Sequence, residues 1–205
     1  MIIEVKMTYK TYLKMRYFIE ECDTEVAGLG KVREVEYPKE KIETPYEPIN
    51  NYAGVEFDEI ETDEEEKQDS YLEIYDIEVL PQLVTGITAN LDEESMAKFV
   101  FNKLKKGEST EEYKVWWHSH VDMGASFSSQ DVDTIDASSE YPYLISIVSN
   151  KQKELTCRLD IFNPIRHTIE DLDIEILPLE NSKLRSECRK QLKENLTLDK
   201  WEFKK

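Results

Sequence analysis

The sequence predicts an α/β protein, with strands and helices interleaved so that a sheet is flanked by helices. Three observations carry that expectation. Short runs rich in β-branched and aromatic residues alternate in polarity, as half-buried strands do. Amphipathic stretches at helical spacing stand between them. The chain has 205 residues, 40% of them hydrophobic, enough for one domain with its own core. These patterns alone leave α/β and α+β both open.

The elements follow in order. Residues 1–7 alternate like a short strand. Residues 8–22 carry Tyr9, Tyr12, Leu13, Met15, Tyr17, Phe18 and Ile19 at helical spacing. Residues 25–36 read as a strand, with Gly28 and Gly30 marking a bulge or a close backbone approach. Residues 37–70 hold Pro38, Pro45 and Pro48, then an acidic run from Asp58 to Glu66. That composition predicts a solvated, loop-like insertion; its functional alternative is a lid or docking arm. Residues 71–80 alternate as a strand, and 83–88 continue extended, beside a substrate cleft. Residues 92–105 form a helix with acids in its first turn, ending before Gly107.

A strand then runs through Tyr113-Lys114-Val115-Trp116-Trp117, and a helix is expected from about Ser128 to Ser138. Residues 144–149 and 155–162 read as a strand pair joined by Asn150-Lys151-Gln152-Lys153, and 169–177 as one last strand. Residues 181–196 place Leu184, Cys188, Leu192 and Leu196 four apart on a charged helix. Such a stripe either docks a partner or packs on its own domain. We found no internal repeat.

Composition excludes several classes. With 26 basic against 44 acidic residues the formal net charge is −18, which argues against a nucleic-acid or anionic-membrane partner. A basic protein tail stays open, although acidity often serves solubility alone. No run of 18 apolar residues predicts a membrane span, and the N-terminus lacks a signal peptide's apolar core. Cys22, Cys157 and Cys188 are three, an odd number, and widely spaced, as expected of reduced thiols in a cytoplasmic protein. His167 has no partner at metal spacing.

The most informative stretch is Trp116-Trp117-His118-Ser119-His120, followed by Ser128 and Asp131, in the pattern H-x-H-x7-S-x-x-D. Residues i and i+2 on a strand share a face, so His118 and His120 project side by side. Ser128 and Asp131 are neighbours on one helical face. Two imidazoles and one carboxylate suit Zn²⁺ and leave a coordination position open, the arrangement of hydrolytic sites. Each half has a plainer explanation: H-x-H arises by chance, and S-x-x-D is a helix capping box. The joint pattern is far more specific than either part.

This pattern resembles the JAMM motif of the MPN+ (JAB-domain) zinc metalloproteases, isopeptidases that cleave ubiquitin-like modifiers or peptide tails. The resemblance extends over residues 1–178, with 179–205 left as a charged helical tail. It is strongest toward the compact bacterial and phage-type members, which carry a tryptophan pair before the histidines. It implies the MPN fold, of the cytidine-deaminase-like type, with a central mixed sheet flanked by helices. It also implies Zn²⁺ held by His118, His120 and Asp131. The family's upstream glutamate, followed by glycine three residues on, matches Glu25 and Gly28, which makes Glu25 the general acid/base. By the same resemblance Ser128 stabilises the oxyanion. The substrate implied is a protein or peptide, with no nucleic acid or membrane involved.

Two departures stand out. Many members have proline after the second histidine, where this chain has Val121, and the acidic insertion is long. The competing readings are a catalytically inactive MPN-like scaffold that works by protein binding, and a DNA-related domain of the RadC type. An intact ligand set argues against the first, and the acidic charge against the second.

Overall fold

The computed structural model describes residues 3–37, 70–84, 89–90, 93–178 and 184–198. The expected insertion falls almost wholly on residues outside this set, as do the ends of the expected tail and most of the expected extended segment 83–88.

Strand β1 (Val5–Thr8) runs directly into helix α1 (Tyr9–Glu21). Thr8 ends the strand and caps the helix, its hydroxyl accepting from the Thr11 amide at 3.3 Å. Strands β2 (Ala27–Glu36) and β3 (Ser70–Val79) form a long antiparallel pair. Then follow β4 (Gln82–Val84), β5 (Ala89–Asn90), α2 (Glu93–Lys105), β6 (Tyr113–Ser119) and α3 (Ser129–Ala137). Strands β7 (Tyr143–Ser149), β8 (Leu155–Ile161), β9 (His167–Ile169) and β10 (Ile174–Leu177) come next. Helix α4 (Leu184–Asn195) and β11 (Leu196–Leu198) complete the described chain.

Among the described residues, eight strands make one mixed sheet in the order β10-β1-β3-β2-β6-β7-β8-β9. The pairs β10/β1, β1/β3 and β6/β7 are parallel and the rest antiparallel. A small second sheet has the order β11-β4-β5.

The sequence predicts one strand over 169–177, and the structure corrects this. That segment splits into β9 and β10, which lie at opposite edges of the eight-stranded sheet. The break falls at Asp171, whose φ is 50°, a conformation that aspartate tolerates better than most residues. The split shapes the molecule. Five Cα steps from Ile169 to Ile174 reach at most about 18 Å. Eight flat strands would spread their edges roughly 34 Å apart. The sheet is therefore strongly curled.

Alternation along β6 sorts the two tryptophans. Trp117 faces α1 and stacks on Phe18, ring centroids 5.6 Å apart. Around it lies the main core of Met7, Met15, Ile74, Val115, Ile145, Ile147 and Leu159. Each such fully buried side chain contributes on the order of 1.5–3 kcal/mol. Cys188 and Leu192 of α4 join the same core and Leu196 packs against it, so these three of the four-spaced residues pack on their own domain. Trp116 points the other way, against Ile135 of α3 and Leu144. His118 and His120 share the face of Trp116, beneath the start of α3.

Gly28 is required by close approach. A Cβ there would lie 1.9 Å from the Glu78 carbonyl oxygen and 2.7 Å from Trp117 Nε1. Any side chain would push β2 off its neighbours, and with it the segment that carries Glu25.

Candidate metal centre

Three elements meet at one pocket of about 420 Å³, lined by Glu25, Trp116, His118, His120, Ser128 and Asp131 among others. Strand β6 delivers the histidines. Its end is pinned on both sides: the His120 amide donates to the Ser149 carbonyl at 3.0 Å, and the Ser119 amide to the Val26 carbonyl at 2.9 Å. Helix α3 delivers Asp131 from its first turn. The segment before β2 delivers Glu25.

The capping box and the ligand are one feature. Ser128 caps α3, and its hydroxyl accepts from the Asp131 amide at 3.2 Å. Asp131 Oδ2 in return accepts from the Ser128 amide (2.6 Å) and hydroxyl (2.7 Å). That leaves Oδ1 facing His118 Nε2 at 3.2 Å. The plain structural explanation of S-x-x-D and its functional explanation therefore hold together, one oxygen for each.

Asp131 is half-buried. Burial works to raise its pKa, but the bond and charge of His118 and the two bonds from Ser128 outweigh it, holding the carboxyl down at about 2.

The donor atoms converge. His118 Nε2 and His120 Nε2 stand 3.0 Å apart, and His120 Nε2 lies 3.8 Å from Asp131 Oδ2. Tetrahedral zinc with bonds of 2.0–2.1 Å would space its ligand atoms about 3.3 Å apart. His118 Nε2 stands 3.0 Å from His120 Nε2 and 3.2 Å from Asp131 Oδ1, both close to that value, and one ligand atom from each of the three residues lies within 4.8 Å of the others. His120 Nδ1 lies 2.9 Å from the Gly124 carbonyl oxygen. That carbonyl only accepts, which assigns the ring proton to Nδ1 and leaves Nε2 with its lone pair turned into the cluster. The donor set fits a divalent metal, and among the described residues these three are the one such group.

Glu25 arrives by strand register. Ala27 pairs with His118. Continuing one step sets Val26 opposite Ser119, where the Val26 amide donates to Ser119 Oγ at 3.0 Å. A second step sets Glu25 opposite His120, on the same face. Gln82 holds this arm from the side. Its amide oxygen accepts from the Ala27 amide at 2.9 Å, and its nitrogen donates to the carbonyls of Ala27 (2.7 Å) and Leu80 (2.8 Å). Glu25 is only 7% exposed and has no hydrogen-bond partner among the described residues. Burial, with the nearby Asp131 charge, raises its pKa to about 7 against an opposing pull from His120.

The sequence-predicted residues Glu25, His118, His120, Ser128 and Asp131 are thus brought together. Cys22 is buried with its sulfur 3.2 Å from the Thr24 hydroxyl, and His167 is exposed on β9, at the sheet's edge. Sequence reasoning did not find Gln82, Ser119, Gly124 or Asn150 as supports of the site. Nothing in their spacing signals such a role: Gln82, Ser119 and Asn150 act on backbone groups far away in the chain, and Gly124 offers His120 only its own carbonyl.

A curled mixed α/β sheet that carries an H-x-H strand end against a helix-borne aspartate positions three ligand-type side chains for a metal ion on one face of the domain. The chain belongs to the family described as prokaryotic homologs of the JAB domain, whose model matches residues 36–160, more than half of its length. That match contains His118, His120, Ser128 and Asp131 and leaves Glu25 outside. A comparison with curated proteins gives no match.

Proposed function

We propose that the protein is a zinc-dependent hydrolase of peptide or isopeptide bonds, acting on a protein tail or a ubiquitin-like modifier. The observation that carries this reading is the pairing within one pocket of three converging ligand atoms with a buried, proton-ready Glu25.

His118, His120 and Asp131 would hold the zinc, which supplies a Lewis acid for the scissile carbonyl and lowers the pKa of water. Glu25 takes a proton from the attacking water at its carboxylate and holds it away from bulk solvent. It then hands that proton to the leaving nitrogen. Trp116 stacks on His118 with centroids 4.6 Å apart and fixes the ring plane. The Ser128 hydroxyl is bonded to Asp131 Oδ2, so it first orients the ligand. Its implied part as oxyanion donor requires that proton to turn toward the substrate.

The intact ligand set favours an enzyme over an inactive scaffold. Three buried, unpaired cysteines support a reducing compartment, the cytoplasm. Among the described residues no helix is long and apolar enough to cross a membrane.

The test is metal analysis together with a cleavage screen on ubiquitin-like fusions and basic, acidic and neutral peptides. Wild type is expected to hold one zinc and cleave at least one substrate class, and His120→Ala to lose both. Zinc-loaded protein that only binds modifiers, without cleaving, would support the scaffold reading instead.

A further inference from the structure

We propose that Asn150 is a positioning residue for the metal centre. Its side-chain amide clamps the loop that carries His120 and so decides which ring nitrogen of His120 is free to ligate. This inference rests on the metal-binding reading of His118, His120 and Asp131.

The loop from His120 to Gly124 is not self-supporting. It turns tightly, with the Met123 amide donating to the His120 carbonyl at 2.7 Å. The turn forces Val121 to a φ of 41°. That region is unfavourable for a β-branched residue, at on the order of 1–3 kcal/mol, and closed to proline, whose ring fixes φ near −65°. A loop strained in this way persists only when its surroundings over-determine it.

The turn between β7 and β8 does so. Asn150 Nδ2 donates to the Met123 carbonyl at 2.8 Å, and the Lys151 amide donates to the Val121 carbonyl at 2.8 Å. The Ala125 amide reaches Glu154 Oε2 at 3.4 Å. The turn is itself braced. Asn150 Oδ1 accepts from the Glu154 amide at 3.0 Å, and Nδ2 also donates to Glu154 Oε2 at 2.5 Å. From α1, the buried Arg16 donates to the Asn150 carbonyl at 2.6 Å. Asn150 is 1% exposed, so a lost bond there is not replaced by water.

Of the bonds made by the Asn150 side chain, only the one to Met123 leaves the turn. It fixes the peptide next to Gly124, whose carbonyl lies 2.9 Å from His120 Nδ1. The path from Asn150 to a ligand is therefore one hydrogen bond, one residue and one more hydrogen bond. Partners that orient a ligating histidine commonly carry 10–100-fold of metal affinity.

The experiment uses the full chain. Zinc affinity is measured by competition with a chromophoric chelator, and ligand geometry by the visible spectrum of the cobalt-substituted protein. Asn150→Asp keeps the acceptor for the Glu154 amide and loses both donated protons. Asn150→Asp with Glu154→Gln restores an amide–carboxylate pair inside the turn, with its polarity reversed, but still offers Met123 no donor. Both variants are expected to bind zinc about tenfold or more weakly, with a shifted cobalt spectrum. Wild-type affinity and spectrum in the double variant would reduce Asn150 to a turn residue and overturn the proposal.

Side-chain nitrogen NMR of the metal-free wild type gives a reading that needs no variant to fold. A proton on His120 Nδ1 is expected, and a proton on Nε2 alone would overturn the clamp. Wild type that takes up no zinc would overturn the metal reading as a whole, whereas unaltered variants of a zinc-binding wild type overturn only the part assigned to Asn150.

Discussion

Asp131 and Glu25 line the same pocket, yet one is held charged and the other is held ready for a proton. Asp131 receives two hydrogen bonds from Ser128 on one oxygen and faces His118 with the other, and its pKa is held at about 2. Glu25 has no hydrogen-bond partner among the described residues, and burial lifts its pKa to about 7. Two carboxyl groups whose surroundings push them apart in this way are suited to different tasks. A metal ligand must be a fixed anion. A general base must exchange a proton near neutral pH, and bonds that fixed its charge would spoil it. A dication at His118, His120 and Asp131 would draw Glu25 down from about 7, toward the charged form that accepts a proton.

Exchanging each acid for its amide gives the largest effects and could break the comparison outright. Asp131→Asn should lower zinc affinity by more than the roughly 10–100-fold typical of residues that merely support a ligand. Glu25→Gln should leave zinc content unchanged and slow turnover by about 10²–10⁴-fold. Chelator competition and kcat on one cleavable substrate decide the matter. Zinc loss in Glu25→Gln, or full zinc occupancy in Asp131→Asn, would dissolve the division of roles. Gln82→Leu comes next. It removes the three bonds that hold Ala27 and Leu80 beside the Glu25 arm and touches no ligand. Turnover should fall about tenfold at unchanged zinc affinity, because small misplacements of a reacting group are costly.

The same division explains what the sequence shows and what it hides. The ligand half is compact in the chain: a strand end, seven residues, and a helix start. Period-2 and helical spacing place all three ligands on facing surfaces, and the capping box marks where α3 begins. The Glu25 half lies about ninety residues earlier, and only strand register brings it to His120. Register is set by cross-strand contacts such as the close approach at Gly28, which no local pattern of charges reveals. The last strand failed for a related reason. Residues 169–177 alternate well enough, but a left-handed Asp171 divides them, and curling carries the halves to opposite sheet edges. Gln82 reaches the Glu25 arm, and Asn150 the His120 loop, through backbone groups, so those partners carry no residue-specific signal.

The smallest effect sharpens the comparison most, because it needs no substrate. In the chelated, metal-free protein the two carboxyls should tilt stability in opposite directions with pH. The folded-state pKa of Glu25, about 7, lies above its ordinary 4.5. Between those values the unfolded chain has released a proton that the folded chain retains, so this contribution is full below about 4.5 and lost as pH rises through 7. Asp131 is depressed from 3.8 to about 2, so its contribution is present above 3.8 and lost as pH falls through 2. Solvent at the pocket mouth screens both, leaving about 1–2 kcal/mol for Glu25 and about 1 kcal/mol for Asp131. Urea melts of wild type and Glu25→Gln at pH 4.5 and 7.5 isolate the first. The amide variant should gain about 1–2 kcal/mol on wild type between those two pH values, since it removes a buried carboxyl that must otherwise ionise. Equal pH slopes in the two proteins would mean that Glu25 titrates as an ordinary surface acid, and its contrast with Asp131 would vanish.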